Sequence, residues 1–435
     1  MNEKPLLSIC VPSRNRQYYF QKTIEALVRN PRTDVEFVFA DNSDDPSIMN
    51  DYMVALANDP RVVYLPSADR TLSMIDNWER TVSASTGDWV SVVGDDDYID
   101  PDLAIVLRKS TAANPDLEAF GWAVGHYTWP AEDVSIASIF IPFNATVVKV
   151  PRSEPLKRMF RWFEAAAMPN SGFSIYHAAV SRPLLERIKS LFGGAYFDNP
   201  MVDYDMAMKV IVAGKEFAFC ARPFSIMGSC SLSNSYAVGR LEAMEERYNL
   251  FIAELGRNLD ENYDFQDFPF SSLLGLTAAI GIVQQQFKKK YNLNYTDWEK
   301  NFVAACVANV ELFREPRSHE IVRKGYEAAI AKWRRGKYLK YFNPVYTASS
   351  NGLTLGGSTA DGTYIRSDIA GIKTPEDLYG VISAMTTQPD NIVVDADGLK
   401  LPWNVKRLEI GQGSGASTVA PVVERLQKPQ KAQSR

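Results

Sequence analysis

The sequence predicts an α/β fold, a mostly parallel sheet flanked by helices, with a helical appendage and a small C-terminal α+β segment. Three observations carry this prediction. Short apolar runs alternate with stretches of helical periodicity through the first 110 residues, as in successive βα units. The first strands run into polar or charged loops at Arg14, Asp41 and Asp95. From Arg240 to Lys337 the periodicity is wholly helical, and after Pro344 the chain turns rich in Gly, Ser and Thr.

Leu6–Val11 is the first buried strand, and Pro12, Ser13, Arg14, Asn15 and Arg16 form the loop behind it. Phe20, Ile24, Leu27 and Val28 recur at helical spacing in Tyr19–Arg29, and Pro31 closes that helix. Val35–Ala40 is the second strand, followed by Asp41, Asn42, Ser43, Asp44 and Asp45. Ile48–Ala57 is a helix and Val62–Leu65 a short strand. Leu72–Ser83 is a helix with Leu72, Ile75, Trp78, Glu79 and Val82 along one stripe. Val90–Val93 is a valine-rich strand ending in Gly94, Asp95, Asp96 and Asp97, before Pro101 punctuates the chain.

Leu103–Ala113 is a helix and Leu117–Val124 a strand. His126–Val150 mixes aromatics, prolines and β-branched residues without a period. Pro155–Ala167 is helical, and its Trp162 either joins Met159, Phe160 and Phe163 or faces an acceptor. Ser171–His177 is strand-like, Ser181–Leu191 is a helix with Pro183 in its first turn, and a helix opening at Met201 runs to Gly214. Glu216–Cys220 is one more strand, and Arg222–Asn234 is a polar stretch ending rich in serine.

Helical periodicity then marks Arg240–Arg257, Pro269–Tyr291, Asp297–Arg314 and Ser318–Lys337. Phe287–Tyr291 and Lys332–Lys337 combine bases with aromatics. They read as solvated helix ends, with an anionic lipid surface or glycan as the alternative contact. Leu353–Leu355, Thr363–Ile365 and Ile392–Val394 are short strands, and Thr374, Pro375, Glu376 and Asp377 start a helix. Asp395–Gly398 reads as a hairpin turn, and the tail from Gly411 as disordered.

Composition removes several function classes. Net charge is −5 from 47 basic and 52 acidic residues, which argues against nucleic-acid binding. Cys10, Cys220, Cys230 and Cys306 show neither metal spacing nor disulfide density, so a reduced, cytoplasmic chain is expected. The N-terminus lacks a signal-peptide core, and no apolar run approaches the roughly 20 residues of a membrane span. His126, His177 and His319 are scattered, so no zinc or multi-histidine iron site is expected. No Gly-x-Gly-x-x-Gly follows the first strand, which sets aside a dinucleotide-binding dehydrogenase.

The chemistry concentrates at Asp95, Asp96 and Asp97. Two unit charges about 4 Å apart repel by roughly 4 kcal/mol at an effective dielectric near 20. A divalent cation removes that cost. Carboxylate oxygens suit Mg²⁺ or Mn²⁺, which keep waters and also hold substrate phosphates. An acidic turn with solvated side chains is the plainer account. Against it, ligands of parallel sheets sit beyond the carboxyl ends of the strands. The loops at Arg14, Asp41 and Asp95 should therefore share one edge.

Those three loops, in that order and separation, resemble family 2 glycosyltransferases of the GT-A fold. The resemblance covers roughly residues 5 to 110, and 170 to 235 in part. It implies a metal-dependent, inverting transfer of a sugar from a nucleotide diphosphate, a UDP-sugar, to an acceptor hydroxyl in glycan or polysaccharide synthesis. It implies a nucleotide-sugar site at Pro12, Ser13, Arg14, Asn15, Arg16, Asp41 and Asn42, with Asp41 accepting from the base. Asp95 would lie near the ribose, and Asp96 or Asp97 would ligate Mn²⁺ or Mg²⁺. Ser13 and Arg14 replace the family's usual aromatic. Arg70 is a further candidate for the diphosphate, because guanidinium matches phosphate oxygens.

Asp203 falls where the family has its catalytic base, although Val202 stands in place of the expected glutamate. Asp205 is the second candidate. No histidine occurs in Gly228–Asn234; serine and backbone groups, or Arg222, would substitute at the diphosphate. In this reading residues 1–110 bind the nucleotide sugar and 111–238 face a glycan or lipid-linked acceptor. Residues 239–343 are the appendage, 344–410 the small segment and 411–435 a tail. A GT-A-like module that binds a nucleotide sugar or a partner without turnover is the alternative.

Overall fold

Strands whose residues are apolar in succession can only be satisfied between two layers of helix. The computed structural model describes residues 4–130, 138–143, 145–233, 235–255, 267–348, 356–366, 369 and 371–394. In it, every residue of β1 (Leu7–Ser13) is buried. Helix α1 (Gln17–Val28) follows, then β2 (Val35–Asp41), which is buried throughout. Next come α2 (Ser47–Met53), β3 (Val62–Leu65), α3 (Met74–Ala84), β4 (Trp89–Val92) and β5 (Tyr98–Ile99). Ser73 caps α3 by accepting from the Asp76 amide. The middle of the chain supplies α4 (Leu103–Ala113), β6 (Ala119–Thr128), β7 (Ser138–Pro142), β8 (Val147–Val150) and α5 (Ser153–Phe160). After these come β9 (Ala178–Ser181), α6 (Arg182–Leu191), α7 (Val202–Ala213) and β10 (Phe217–Ser229).

The sheet order is β3-β2-β1-β4-β9-β6-β10-β5, with β8 also on β10. β1, β2, β3 and β4 pair in parallel, and so do β6 and β10. β9 is antiparallel to both β4 and β6. Two reversals restore direction, so β1, β2, β4, β6 and β10 all point their carboxyl ends at one edge. That is the convergence of loops expected from the sequence.

The structure departs from the sequence reading where local signals are weak. Residues 171–177 form no strand beyond a single bridge from Tyr176 to Val92; the strand is β9, which begins one residue later. β10 does not stop at Cys220 but continues to Ser229, with a register shift between Cys220 and Ser225. Pro223 lies inside that shift, where a residue without an N–H is tolerated. α5 ends at Phe160, because Trp162 and Glu164 have φ of 52° and 56°, in the left-handed region. Trp162 faces no acceptor. It is buried in the appendage core, and its indole donates to Gln284 Oε1 at 2.9 Å.

The appendage comprises α8 (Leu241–Leu255), α9 (Leu276–Lys290), α10 (Glu299–Val310) and α11 (Pro316–Lys332). Phe268, Phe270, Trp298, Phe302 and Trp333 form an aromatic core inside it. Phe287 and Tyr291 pack instead with Phe192 under the sheet, so the appendage shares a core with the α/β part. After it come β11 (Gly357–Ser358), β12 (Gly362–Arg366) and α12 (Pro375–Met385). β12 joins β7 in a second, antiparallel sheet, and Leu378, Tyr379 and Ile382 of α12 enter the first core. Position 344 therefore marks a change in composition but not in packing. Ile392–Val394 contributes only a bridge from Val394 to Val147. Leu353–Leu355, Asp395–Gly398 and the tail from Gly411 lie outside the described residues.

The two basic-aromatic stretches are not solvated throughout. Trp333 is in the aromatic core, and Lys288 is buried with its Nζ 4.0 Å from the centre of the Trp298 ring. Burial pulls the Lys288 pKa from 10.5 down to about 7, with Glu299 opposing. A lysine depressed in the fold destabilises it while charged in both states, and the penalty fades as pH rises from about 7 toward 10.5. Lys288→Met should therefore raise the melting temperature near neutrality by a few degrees. The gain should shrink at about pH 10, which paired thermal melts will read. Among the described residues no helix is long and apolar enough to cross a membrane.

Candidate functional site

The turn after β4 folds its three aspartates in different directions. Asp97 points inward. Its Oδ2 accepts from the Gly94 amide (2.5 Å), Tyr176 Oη (2.8 Å) and His177 Nε2 (2.9 Å), and its Oδ1 accepts from the Gly228 amide (2.7 Å). Burial alone would raise its pKa, but the imidazole and the two amides outweigh burial and hold it below the usual range. The Trp122 indole, which can only donate, donates to Ser225 Oγ at 2.7 Å. Ser225 Oγ also lies 2.8 Å from His177 Nδ1, so Trp122, Ser225, His177 and Asp97 form one buried chain of hydrogen bonds.

Asp95 and Asp96 face Arg16. Asp95 has no exposed surface; its Oδ2 accepts from Ser13 Oγ at 2.6 Å and its Oδ1 lies 2.7 Å from Arg16 Nη2. Burial pushes its pKa up to about 7, with Arg16 opposing and Asp96 adding to the rise. Asp96 Oδ1 lies 3.3 Å from Arg16 Nη1, and Oδ2 accepts from the Cys230 amide at 3.0 Å. Burial raises this group too, against Arg16. The Trp129 indole donates to the Asp96 carbonyl at 2.9 Å. Glycine is required at 228, because a Cβ there would stand 1.7 Å from that same carbonyl oxygen. The tips of β1, β4, β6 and β10 are thus tied to one turn.

The β2 tip completes the edge. Asp41 lies opposite Ser13 in register. Its Oδ2 accepts from Ser67 Oγ at 2.9 Å, and its Oδ1 from the Ser43 amide and hydroxyl at 3.1 and 2.6 Å. Asn42 is committed to the backbone of Leu72, donating at 2.9 Å and accepting at 3.0 Å, so it holds the loop after β3. Asn15, at φ 53°, exchanges hydrogen bonds with Asp44. Pro12 is buried within β1. Arg14 pairs with Glu254 of α8 at 2.6 Å. Arg70 is exposed in the loop ahead of α3.

Asp203 and Asp205 part company in the first turn of α7. Asp203 is half-buried; its Oδ1 accepts from the Tyr204 amide at 2.9 Å, and its carbonyl accepts from Ser174 Oγ at 3.1 Å. Burial raises its pKa. Tyr176 links it to the aspartate turn: burial, then Asp97 and Asp96, and also Asp203 push that phenol upward. Asp205 is buried and committed to Lys209 Nζ at 2.8 Å and to the Asp198 amide at 3.0 Å. Lys209 also meets Asp198 at 2.8 Å, so this network fastens the loop ahead of α7.

Arg222 is not free to meet a diphosphate. It is fully buried, donating to Tyr379 Oη and the Thr387 carbonyl, both at 2.8 Å, and it seats α12. Nothing in the sequence marks Tyr176, Ser225 or Trp129 for the site, and Gly228 is visible there only as the start of the serine-rich stretch. His177 is one of three scattered histidines, and nothing local to it announces Asp97 eighty residues earlier.

Among the described residues no group of three or more His, Cys, Asp or Glu side chains is arranged to hold a metal ion unaided. The donor set nonetheless suits a hard cation carried on phosphates. Asp95 Oδ1 is buried without an aligned hydrogen bond, and Asp96 Oδ1 has only the 3.3 Å contact to Arg16. Mg²⁺ and Mn²⁺ commonly take one or two carboxylates and complete their shell with water and substrate oxygens. Asp97 is the poorest ligand of the three, since both its oxygens are engaged.

Residues 8–180 match the family model described as Glycosyl transferase family 2. This segment is a family 2 glycosyltransferase domain. It spans β1 to β9 and contains the aspartate turn, whereas Asp203 and Gly228 lie beyond it. Among solved structures, the chain is similar to S. aureus TarS 1–349 in complex with UDP-GlcNAc. Identity there is 14%, over 77% of this chain and 89% of that one, with a TM-score of 0.41. A longer S. aureus TarS structure matches at 12% identity over 81% of this chain and 56% of that one, with a TM-score of 0.36. No curated protein matches the sequence.

Proposed function

We propose that the glycosyltransferase domain moves a sugar, with inversion, from a UDP-sugar to an acceptor hydroxyl in the assembly of a glycan or polysaccharide. The observation that carries this reading is the single edge on which Ser13, Asp41, Asp95 and Asp96 meet. Asp41 recognises the base and Asp95 the ribose. Arg14, Arg16 and Arg70 supply cationic character for the diphosphate. Asp203 removes the acceptor proton as the hydroxyl attacks the anomeric carbon, and its raised pKa makes it a stronger base than an exposed aspartate.

Asp96 would hold Mn²⁺ or Mg²⁺, with Asp95 beside it. Such a cation supplies charge neutralisation to the departing diphosphate. Asp97 serves a different end: it fixes the turn so that Asp95 and Asp96 face Arg16. A donor screen by thermal shift tests the reading. A UDP-sugar should raise the melting temperature more with Mn²⁺ than without, since a ligand of the native state stabilises according to its affinity. A screen in which no nucleotide sugar shifts the transition in either condition would overturn it.

A further inference from the structure

The aspartate turn already contains a cation. Arg16 precedes α1, and its guanidinium spans Asp95 at 2.7 Å and Asp96 at 3.3 Å while touching Cys230 Sγ at 3.9 Å. It contacts the two carboxylates that a divalent ion would use and leaves Asp97 to Gly94, Tyr176, His177 and Gly228. Asp95 Oδ1 and Asp96 Oδ1 both face it. Yet its hydrogen bonding there is incomplete: Asp95 Oδ1 receives no aligned N–H, and the Asp96 contact is long. The Arg16 side chain keeps 23% of its surface exposed, so it has an open side toward which it can turn.

We infer that Arg16 is a resident counter-cation. It competes with a divalent ion for Asp95 and Asp96 in the free protein, and it is drawn off when a diphosphate arrives. This rests on the proposed nucleotide-sugar site for the identity of the incoming anion, but not for the competition itself. The physical basis is general. A guanidinium bridges two carboxylates well, and it matches phosphate oxygens at least as well. Two cations cannot share the same pair of oxygens without repulsion. Metal and diphosphate are therefore coupled through Arg16, and each should raise the affinity for the other by the same factor.

Titration of the full chain with Mn²⁺ alone, followed by the electron paramagnetic resonance of the free ion, tests this. The wild-type chain should bind Mn²⁺ weakly without nucleotide, and Arg16→Gln should bind it about tenfold more tightly or better. Arg16→Lys keeps the charge and protects against loss of folding. Its point-like ammonium serves one carboxylate at a time, so its Mn²⁺ affinity should also exceed that of the wild type. Equal or weaker Mn²⁺ binding in both variants would overturn the inference. UDP binding in the same three proteins separates the two ideas. Mn²⁺ affinity that follows residue 16 in a chain that binds no UDP keeps Arg16 as counter-cation and removes the nucleotide site.

Discussion

Asp203→Asn should lower sugar transfer by about 10²–10⁴-fold, the range lost when a positioned general base is removed. Nucleotide affinity should stay within about a factor of two, because the asparagine is isosteric and the proposed mechanism gives Asp203 the acceptor rather than the nucleotide. Under the proposed mechanism the carboxylate suits this role by what it lacks. Among the described residues its side chain takes one hydrogen bond, from the adjacent Tyr204 amide, while its neighbour Asp205 is held by Lys209. Burial raises Asp203 above the usual aspartate value, which strengthens the base and predicts a rate that falls on the acid side of an elevated pKa. Turnover and UDP titrations of wild type and variant read the two effects separately. Undiminished turnover would remove Asp203 from the mechanism. Asp205→Asn should behave differently, loosening the loop ahead of α7 and lowering stability first.

Asp97→Asn should cost about 3–5 kcal/mol of stability, the range for breaking a buried, fully partnered charge. All four partners of Asp97 are donors: two backbone amides, the Tyr176 hydroxyl and the His177 ring. An asparagine offers one accepting oxygen and turns an NH₂ toward donors that then have no acceptor. Each such orphan costs about 1–3 kcal/mol. The substitution also frees Gly228 and the turn that carries Asp96, so nucleotide binding should fall with stability. Urea denaturation should show a lower midpoint at an unchanged slope, together with weaker UDP binding. A midpoint at the wild-type value would mean that the inward-facing network contributes nothing.

The sequence reveals the fold where periodicity is strong and covalently local. β1 to β4 and their helices follow from apolar runs and caps, and their parallel order follows from the alternation itself. It does not reveal β9, whose four residues abut a proline-started helix and look like its first turn. Nor does it reveal that β10 passes through Pro223, since a proline in a strand reads as a break until its partner is known. The site divides in the same way. Asp41 and Asp95–Asp97 stand out because charge after an apolar run is a local signal. The different fates of Asp96 and Asp97 do not, because they depend on Tyr176, His177 and Gly228, which reach the turn only through the folded sheet. Arg222 shows the converse: its charge suggests a phosphate, and only α12 explains it.

Calorimetric titration of UDP into the wild-type chain and into Asp96→Asn, each with Mn²⁺ and with a chelator, tests the central claim most directly. The nucleotide should bind the wild type with Mn²⁺, and affinity should fall by about tenfold or more on chelation or on substitution of Asp96. The two losses should not add, because both remove the same link between the turn and the diphosphate. UDP affinity that is indifferent to both the cation and Asp96 would contradict a nucleotide site at the shared edge of these strands.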